Sequence, residues 1–136
     1  MSVLYYQDAL CVVLLLGAIC NSLMGKLWKI MIGEKRPTKS NKTFTSYGMP
    51  SSHSNSLFYF VAYLSLYIYE HYEFIYALQI CICMVIYTNI ICYYRVYRSH
   101  DHTIPQIIAG MLHGLVVGTF MYTAVLPRFQ IYHIDI

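Results

Sequence analysis

The chain has 136 residues, the length of one ordinary domain, with 11% charged and 58% apolar side chains. Soluble domains carry about a quarter of charged residues, so this composition excludes an ordinary soluble protein. The net charge is only +3, and no nucleic acid is expected as a partner.

Four stretches contain no Asp, Glu, Lys or Arg: residues 9–25, 43–69, 74–94 and 103–127. Each approaches or exceeds the ~20 residues that a helix needs to cross a bilayer. The sequence therefore predicts an all-α membrane bundle that forms one domain over residues 1–136. Its four transmembrane helices would lie at about residues 3–25, 52–69, 74–94 and 103–126.

The first predicted span continues into an apolar and basic segment, residues 25–32. Lys29 and Arg36 are seven residues apart, so a helix that continued through both would place them on one face. Pro37 then ends or redirects the chain, and Arg36 before it is expected to be extended. The following polar loop contains Asn41-Lys42-Thr43, a glycosylation sequon in form, whose occupancy would require a lumenal loop.

Six of the nine basic residues lie between the first and second predicted spans: Lys26, Lys29, Lys35, Arg36, Lys39 and Lys42. One interpretation is a loop that obeys the positive-inside rule, which would place it in the cytoplasm. The other is a basin for an anionic group. The charge pattern alone favours the first interpretation, and the rest of the chain has to decide between them.

The stretch Tyr47-Gly48-Met49-Pro50-Ser51-Ser52-His53-Ser54 has the residues expected where a loop enters a helix. The orphan amides and the dipole at a helix start attract anions, and the hydroxyls of Ser51 and Ser52 would add donors. His53 brings a titratable group to the rim of the same site. The alternative is a well-capped membrane helix with a chance histidine.

Residues 70–73 form a short acidic turn, so the second and third predicted spans would pack as an antiparallel hairpin. With four spans, the loop before the second span and the loop at residues 95–102 lie on the same side of the membrane. The topology therefore brings cations and histidines from two distant segments to one surface.

The last predicted span begins at His102-Thr103-Ile104-Pro105-Gln106, where a proline in the first turn is tolerated. His102 and Gln106 are four residues apart and share a helix face. Further along, Gly110-x3-Gly114-x3-Gly118 predicts a ridge of small residues for close helix packing. His113 beside this ridge is expected to be a buried, hydrogen-bonded side chain rather than a ligand.

Three of these segments together resemble the type 2 phosphatidic acid phosphatase superfamily. The matching motifs are Lys29-x6-Arg36-Pro37, Pro50-Ser51-Ser52-His53, and Arg95 followed by His102 at the head of the next helix. Each motif is weak alone, but all three occur in order, at span ends on one membrane side, over roughly residues 18–118. Within the superfamily the chain looks most like the dolichyldiphosphatases, through Ile32-Gly33-Glu34-Lys35-Arg36-Pro37 and the stretch around His53.

The chain departs from the superfamily pattern in two places. The usual spacing, Arg-x5-His, would put Asp101 at the position of the nucleophile, whereas His102 follows Arg95 after six residues. The match of His102-Thr103 and Gln106 favours His102. Most members also have an Asp four residues after this histidine to orient the imidazole. Gln106 stands there in this chain as an acceptor without a charge, and Asp101 is a second candidate for orienting the ring.

The resemblance implies a mechanism based on phosphohistidine. Lys29, Arg36 and Arg95, with Ser51 and Ser52, would bind the terminal phosphate and balance its charge in the transition state. His102 would attack phosphorus as the nucleophile, and His53 would protonate the leaving group and then activate water. No metal and no other cofactor are expected.

The implied reaction is the hydrolysis of dolichyl diphosphate, a polyisoprenoid diphosphate lipid, to dolichyl phosphate and phosphate. It would support dolichol recycling for protein glycosylation in the endoplasmic reticulum membrane. As in the family, the active site would face the lumen, against the positive-inside interpretation of the basic loop. The alternatives are a related phosphatase acting on phosphatidate or another isoprenoid phosphate, and an inactive membrane protein that binds anionic lipid.

Overall fold

A computed structural model of the chain describes residues 3–41 and 46–131. All regular structure in this part of the chain is helical, which confirms that the fold is all-α. The helices are α1 (Val3–Ile32), α2 (Ser52–His71), α3 (Phe74–Tyr97) and α4 (Ile104–Phe120), and α4 continues through a π-helical turn (Met121–Val125) into α5 (Leu126–Ile131). The sequon residues Lys42 and Thr43 lie outside the described residues.

The first helix is longer than the predicted span, which ended near residue 25. α1 runs to Ile32, and the Gly33 amide closes its last turn on the Lys29 carbonyl oxygen at 3.0 Å. Gly33 has a φ of 63°, a left-handed conformation that favours glycine and ends the helix. Arg36 therefore lies in a non-helical stretch beyond α1, as expected for the residue before Pro37, and no helix continues through both Lys29 and Arg36.

Three segments are long and apolar enough to cross a membrane: Asp8–Ile32, Phe74–Tyr97 and Ile104–Phe129. The predicted second span forms α2, whose 20 residues include several Ser, Asn and Tyr side chains. α2 packs against α1, α3 and α4, and its buried face includes Ser54 and Asn55. It is therefore the central helix of the bundle, and its status as a fourth span belongs to the proposal below.

The glycine ridge of α4 packs directly on α2, as predicted. A Cβ atom at Gly110 would lie 2.5 Å from the Ser51 carbonyl oxygen, and one at Gly118 would lie 2.5 Å from the Tyr59 carbonyl oxygen. Gly114, between them, faces the Asn55 backbone just as closely. The absence of side chains at these positions lets the two backbones touch and sets the distance between α2 and α4.

The apolar core lies at the end of the bundle where α1 begins. It is made of Ala9, Leu10, Val13, Tyr59, Tyr63, Val117, Tyr122 and Leu126. The hydroxyl groups of Tyr59 and Tyr63 donate to the carbonyl oxygens of Leu14 and Leu10, at 2.8 and 3.0 Å. Nearer the start of α2, half-buried His113 has its Nδ1 2.9 Å from Asn55 Oδ1, in agreement with its prediction as a hydrogen-bonded residue.

Candidate active site

Three segments meet at the polar end of the bundle: the stretch after α1, the turn before α2, and the loop between α3 and α4. The Gly48 amide donates to the Glu34 carbonyl oxygen at 2.7 Å and joins the first two segments. The Ser51 amide donates to the Gln106 carbonyl oxygen at 3.0 Å and joins the second segment to α4. These backbone bonds hold the loops in place although they come from distant parts of the sequence.

His102 lies at the centre of this region with only 2% of its surface exposed. Its Nδ1 atom is 3.0 Å from the Gly48 carbonyl oxygen and 3.3 Å from Gln106 Oε1. Its Nε2 atom is 3.1 Å from Nη1 of Arg36. Because both oxygens are acceptors and the guanidinium is a donor, this network assigns the ring proton to Nδ1. The lone pair is then on Nε2, and it points at the cation.

Burial is the main reason why the His102 imidazole stays neutral. The pKa of His102 is lowered from 6.5 to about 4, by burial first and by the positive charge of Arg36 second. The hydrogen bond to Gln106 raises this pKa, and the charges of Arg95 and Lys29 lower it. At neutral pH the ring is therefore an uncharged base with an available lone pair, the form that a nucleophile requires.

Arg36 is 8% exposed and uses two edges of its guanidinium group. Nη1 donates to the Asp101 carbonyl oxygen at 2.9 Å as well as facing His102, and Nε donates to Ser46 Oγ at 3.1 Å. Burial lowers the pKa of Arg36, Asp101 raises it and Arg95 lowers it. An arginine retains its charge under such conditions, so Arg36 is a fixed cation beside the lone pair of His102.

Two more cations surround this pair. Nη2 of Arg95 is 3.0 Å from a carboxylate oxygen of Asp101, and the other oxygen accepts from Ser40 Oγ at 3.0 Å. Nζ of Lys29, in the last turn of α1, donates to the Tyr47 carbonyl oxygen at 3.4 Å. Three cations thus lie together here, and the Asp101 carboxylate pairs with one of them, Arg95. Asp101, a candidate for orienting the imidazole, uses its carboxylate to bind Arg95 and Ser40.

Gln106, the other orienting candidate, is fully buried and contacts the imidazole directly. Its Nε2 donates to Glu34 Oε1 at 2.7 Å and to the Lys35 carbonyl oxygen at 3.1 Å. Its Oε1 accepts from the Thr103 amide at 3.2 Å, which forms half of a capping box at the start of α4. The amide therefore has a defined orientation, with its oxygen towards His102.

Ser51, Ser52 and His53 divide between two sides of the α2 start. Ser51 is fully buried, and its hydroxyl accepts from the Ser54 amide as the N-cap of the helix. Ser52 and His53 are exposed and line a groove of about 290 Å³ between α2 and α3, together with Ser56, Leu57 and Ile91. The contacts described above join Arg36, Arg95, Asp101, His102 and Gln106. His53 lines the groove between α2 and α3.

The extra residue between Arg95 and His102 is contained in the turn that follows α3. The Asp101 amide donates to the Arg95 carbonyl oxygen at 3.0 Å, and His100 has a φ of 52°. This left-handed residue is exposed to solvent, whereas His102 is buried against Arg36. The geometry therefore places His102, and not His100, beside Arg36 in the buried cluster.

Four groups of the site were not identified from the sequence: the carboxylate of Glu34, the Gly48 carbonyl and the hydroxyls of Ser40 and Ser46. Glu34 and Gly48 lie inside two of the recognised motifs, which is the one sequence signal that could have suggested them. Their partners are distant in sequence, so only the fold reveals the contacts. Within residues 3–41 and 46–131, no three His, Cys, Asp or Glu side chains are grouped to hold a metal ion.

Comparison with known proteins agrees with this geometry. The sequence profile of the PAP2 superfamily, the type 2 phosphatidic acid phosphatases, matches residues 9–130. The match covers most of the chain, including every element of the site, and the chain belongs to this superfamily.

Within the superfamily, the chain is similar to a protein whose activity is known. The chain is 29% identical over 115 residues to the dolichyldiphosphatase of Saccharomyces cerevisiae (strain ATCC 204508 / S288c). The alignment covers 78% of this chain and 48% of the yeast protein, so the chain spans about half the length of this relative. No solved structure matches the chain.

Proposed function

We propose that this protein is a membrane phosphatase that hydrolyses dolichyl diphosphate to dolichyl phosphate and inorganic phosphate. The observation that carries the proposal is the 3.1 Å contact between Arg36 Nη1 and His102 Nε2, which joins two of the family motifs at one point. The similarity to a yeast dolichyldiphosphatase supports the choice of substrate. A bundle of four spans with its site at one membrane face is part of the proposal.

The terminal phosphate of the substrate binds among Lys29, Arg36 and Arg95. The Asp101 carboxylate accepts from Arg95, and the His102 lone pair accepts from Arg36. Phosphate oxygens are stronger acceptors than a neutral imidazole, so the substrate takes over the guanidinium donors and releases the lone pair. The same cations then stabilise the charge on the equatorial oxygens in the transition state.

His102 attacks phosphorus from Nε2. The Nε2–P bond forms while the bond from phosphorus to the bridging oxygen breaks, and its electron pair leaves with dolichyl phosphate. The imidazole becomes positively charged, and its Nδ1–H continues to donate to the Gly48 carbonyl and to Gln106. These two acceptors orient the imidazole, as a carboxylate does in most of the superfamily.

His53 completes the cycle from the groove side of α2. It donates a proton to the leaving oxygen, and afterwards removes a proton from the water that attacks the phosphohistidine. The Nε2–P bond then breaks, with its electron pair returning to the ring. The leaving group is a phosphate monoester with a second pKa of about 6, so it needs less assistance from an acid than an alcohol does.

The groove between α2 and α3 receives the beginning of the lipid chain. Ile91 lines the groove and lies one helical turn before Arg95, so the apolar surface leads directly to the phosphate site. Leu57 and the small Ser56 form the opposite wall on α2. On this proposal the bridging oxygen of the substrate lies between His102 and His53.

The test is a panel of lipids given to the purified protein: dolichyl diphosphate, a shorter isoprenoid phosphate and phosphatidate. We expect phosphate release to be fastest from dolichyl diphosphate and to be lost in His102→Ala. Faster release from phosphatidate would indicate the related lipid phosphatase instead. Release that is unchanged in His102→Ala would refute the phosphohistidine mechanism, and no release from any lipid would indicate an inactive protein that binds anionic lipid.

We further propose that the protein lies in the endoplasmic reticulum membrane with its site towards the lumen, where it supports dolichol recycling for glycosylation. Lys29 and Arg36 then serve phosphate binding, which explains part of the positive charge of the basic loop without a cytoplasmic orientation. Protease treatment of sealed microsomes tests this placement. Protection of residues 38–47 is expected, and cleavage from the cytoplasmic side would refute it.

A further inference from the structure

Glu34 binds both groups that accept the ring proton of His102, the Gly48 carbonyl through the Gly48 amide and the Gln106 side chain through its amide nitrogen. Its carbonyl oxygen accepts from the Gly48 amide at 2.7 Å, and the Gly48 carbonyl in turn faces Nδ1 of His102 at 3.0 Å. Its Oε1 atom accepts from Gln106 Nε2 at 2.7 Å, and Gln106 Oε1 faces the same Nδ1 at 3.3 Å. No role in binding phosphate accounts for this arrangement, because a carboxylate repels the substrate.

We propose that Glu34 is a positioning residue for the nucleophile and acts on His102 through the amide of Gln106. This inference rests on the proposed function. A glutamine side chain has a donor end and an acceptor end, and here both hydrogens of the donor end have partners, Glu34 and the Lys35 carbonyl. A flipped amide would place N–H groups against the N–H of His102 and the Thr103 amide, and would lose both partners.

The negative charge of Glu34 also reaches the ring. A carboxylate that accepts from one end of an amide polarises the amide and makes its oxygen a stronger acceptor. When His102 becomes positive during phosphoryl transfer, this oxygen stabilises it against the nearby charges of Arg36, Arg95 and Lys29. Much of the Glu34 side chain is exposed, so solvent screens the charge and the effect is moderate.

In most of the superfamily a carboxylate orients the imidazole directly. Here the carboxylate is that of Glu34, and the amide of Gln106 lies between it and the imidazole of His102. The amide is needed because position 106 must also donate to the Lys35 carbonyl, which a carboxylate is unable to do. Glu34 therefore fixes the orientation of the imidazole and supplies part of the negative charge that Gln106 alone lacks.

Two substitutions at position 34 distinguish the orienting effect of Glu34 on the Gln106 amide from the effect of its negative charge. Glu34→Gln keeps an acceptor for the Gln106 amide but removes the charge, and Glu34→Ala removes both. We expect kcat to fall about fivefold in Glu34→Gln and about tenfold or more in Glu34→Ala, with KM nearly unchanged, because charge-assisted hydrogen bonds are about twice as strong as neutral ones. Glu73→Gln, in the exposed turn at the other end of α2, is the matched control and retains wild-type kcat.

An exchange of the two side chains gives the sharpest test. In Glu34→Gln combined with Gln106→Glu, the amide at 34 donates to a carboxylate at 106, which accepts directly from His102. We expect this double variant to have a higher kcat than Gln106→Glu alone, because both lose the donor to the Lys35 carbonyl but only the single variant sets two carboxylates against each other. The acidic limb of its pH profile should move to higher pH than in the wild type. A double variant no faster than Gln106→Glu, or a Glu34→Ala enzyme with wild-type kcat, would overturn the proposal.

A measurement without turnover keeps this inference distinct from the proposed function. The ¹⁵N signals of His102 in labelled protein, identified by their loss in His102→Asn, report which ring nitrogen carries the proton. We expect the Nδ1-protonated tautomer in the wild type and in Glu34→Ala, because the Gly48 carbonyl and Arg36 remain in place. The Nδ1–H proton signal should move upfield in Glu34→Ala, because the hydrogen bond to Gln106 is weakened. An unchanged Nδ1–H signal in Glu34→Ala refutes the positioning role even if the protein hydrolyses no lipid, whereas a shifted signal supports it whatever the substrate is.

Discussion

The replacement of Arg36 by lysine tests the central contact of the site. Arg36 uses two nitrogens to make three contacts of 2.9–3.1 Å, with the Asp101 carbonyl, His102 and Ser46. Lysine keeps the charge but has one nitrogen on a flexible stem and lacks the planar fork. In Arg36→Lys the cation therefore remains near the phosphate but loses at least one directed donor in the transition state.

The loss of one such donor costs about 2.7–4 kcal/mol of transition-state stabilisation, or about 10²- to 10³-fold in rate. We expect kcat/KM for dolichyl diphosphate to fall by about 10² in Arg36→Lys and by a larger factor in Arg36→Met. Arg36 is also the second-largest cause of the lowered pKa of His102. Its removal in Arg36→Met is expected to raise that pKa and move the acidic limb of the rate profile to higher pH.

The assay is phosphate release in detergent micelles, measured from about pH 4 to about pH 8, the range in which a perturbed histidine titrates. Lys39→Met is the matched control, because Lys39 is an exposed cation of the same loop and its loss changes the net charge equally. The control should keep the wild-type rate and pH profile. An Arg36→Lys enzyme within about threefold of the wild type, far below the loss expected for a directed donor, would refute the role of the guanidinium fork.

Three further predictions concern pH, packing and the lipid path. Because the pKa of His102 is lowered from 6.5 to about 4, the unfolded chain binds a proton that the folded chain excludes between these values. The free energy of unfolding therefore falls by roughly 3 kcal/mol from this group as pH drops from 6.5 to 4. In thermal unfolding in micelles, the stability of His102→Asn should fall less over this range than that of the wild type. An equal fall in both proteins would contradict a neutral buried ring. Gly114→Ala should lower the stability by about 1–3 kcal/mol and reduce activity, because its Cβ would meet the Asn55 backbone. Val116→Ala, on the exposed face of α4, should change neither. Equal stability of the two variants would contradict the packing of α4 on α2. Ile91→Trp should raise KM for dolichyl diphosphate far more than for a short-chain diphosphate, and an equal change for both would exclude the α2–α3 groove as the lipid path.

The sequence by itself determined the fold class and most members of the site. Four charge-free stretches predicted the helices because apolar length and the scarcity of charge are local properties of the chain. The same is true of the glycine ridge, since the spacing of Gly110, Gly114 and Gly118 fixes one helix face wherever that helix packs. The three motifs identified Lys29, Arg36, Arg95 and His102 because their residue types and spacing are sufficient to recognise the family.

Tertiary structure decided how these residues are connected. α1 ends at Ile32, before Gly33, whereas the spacing of Lys29 and Arg36 left open how far this helix continues. The Nδ1 tautomer of His102 depends on the Gly48 carbonyl, and the orientation of the Gln106 amide depends on Glu34. Hydrogen bonds join groups that are distant in sequence, and their geometry is fixed only when the helices pack. The residues of the site are therefore encoded locally, whereas the protonation and orientation of its nucleophile are properties of the assembled bundle.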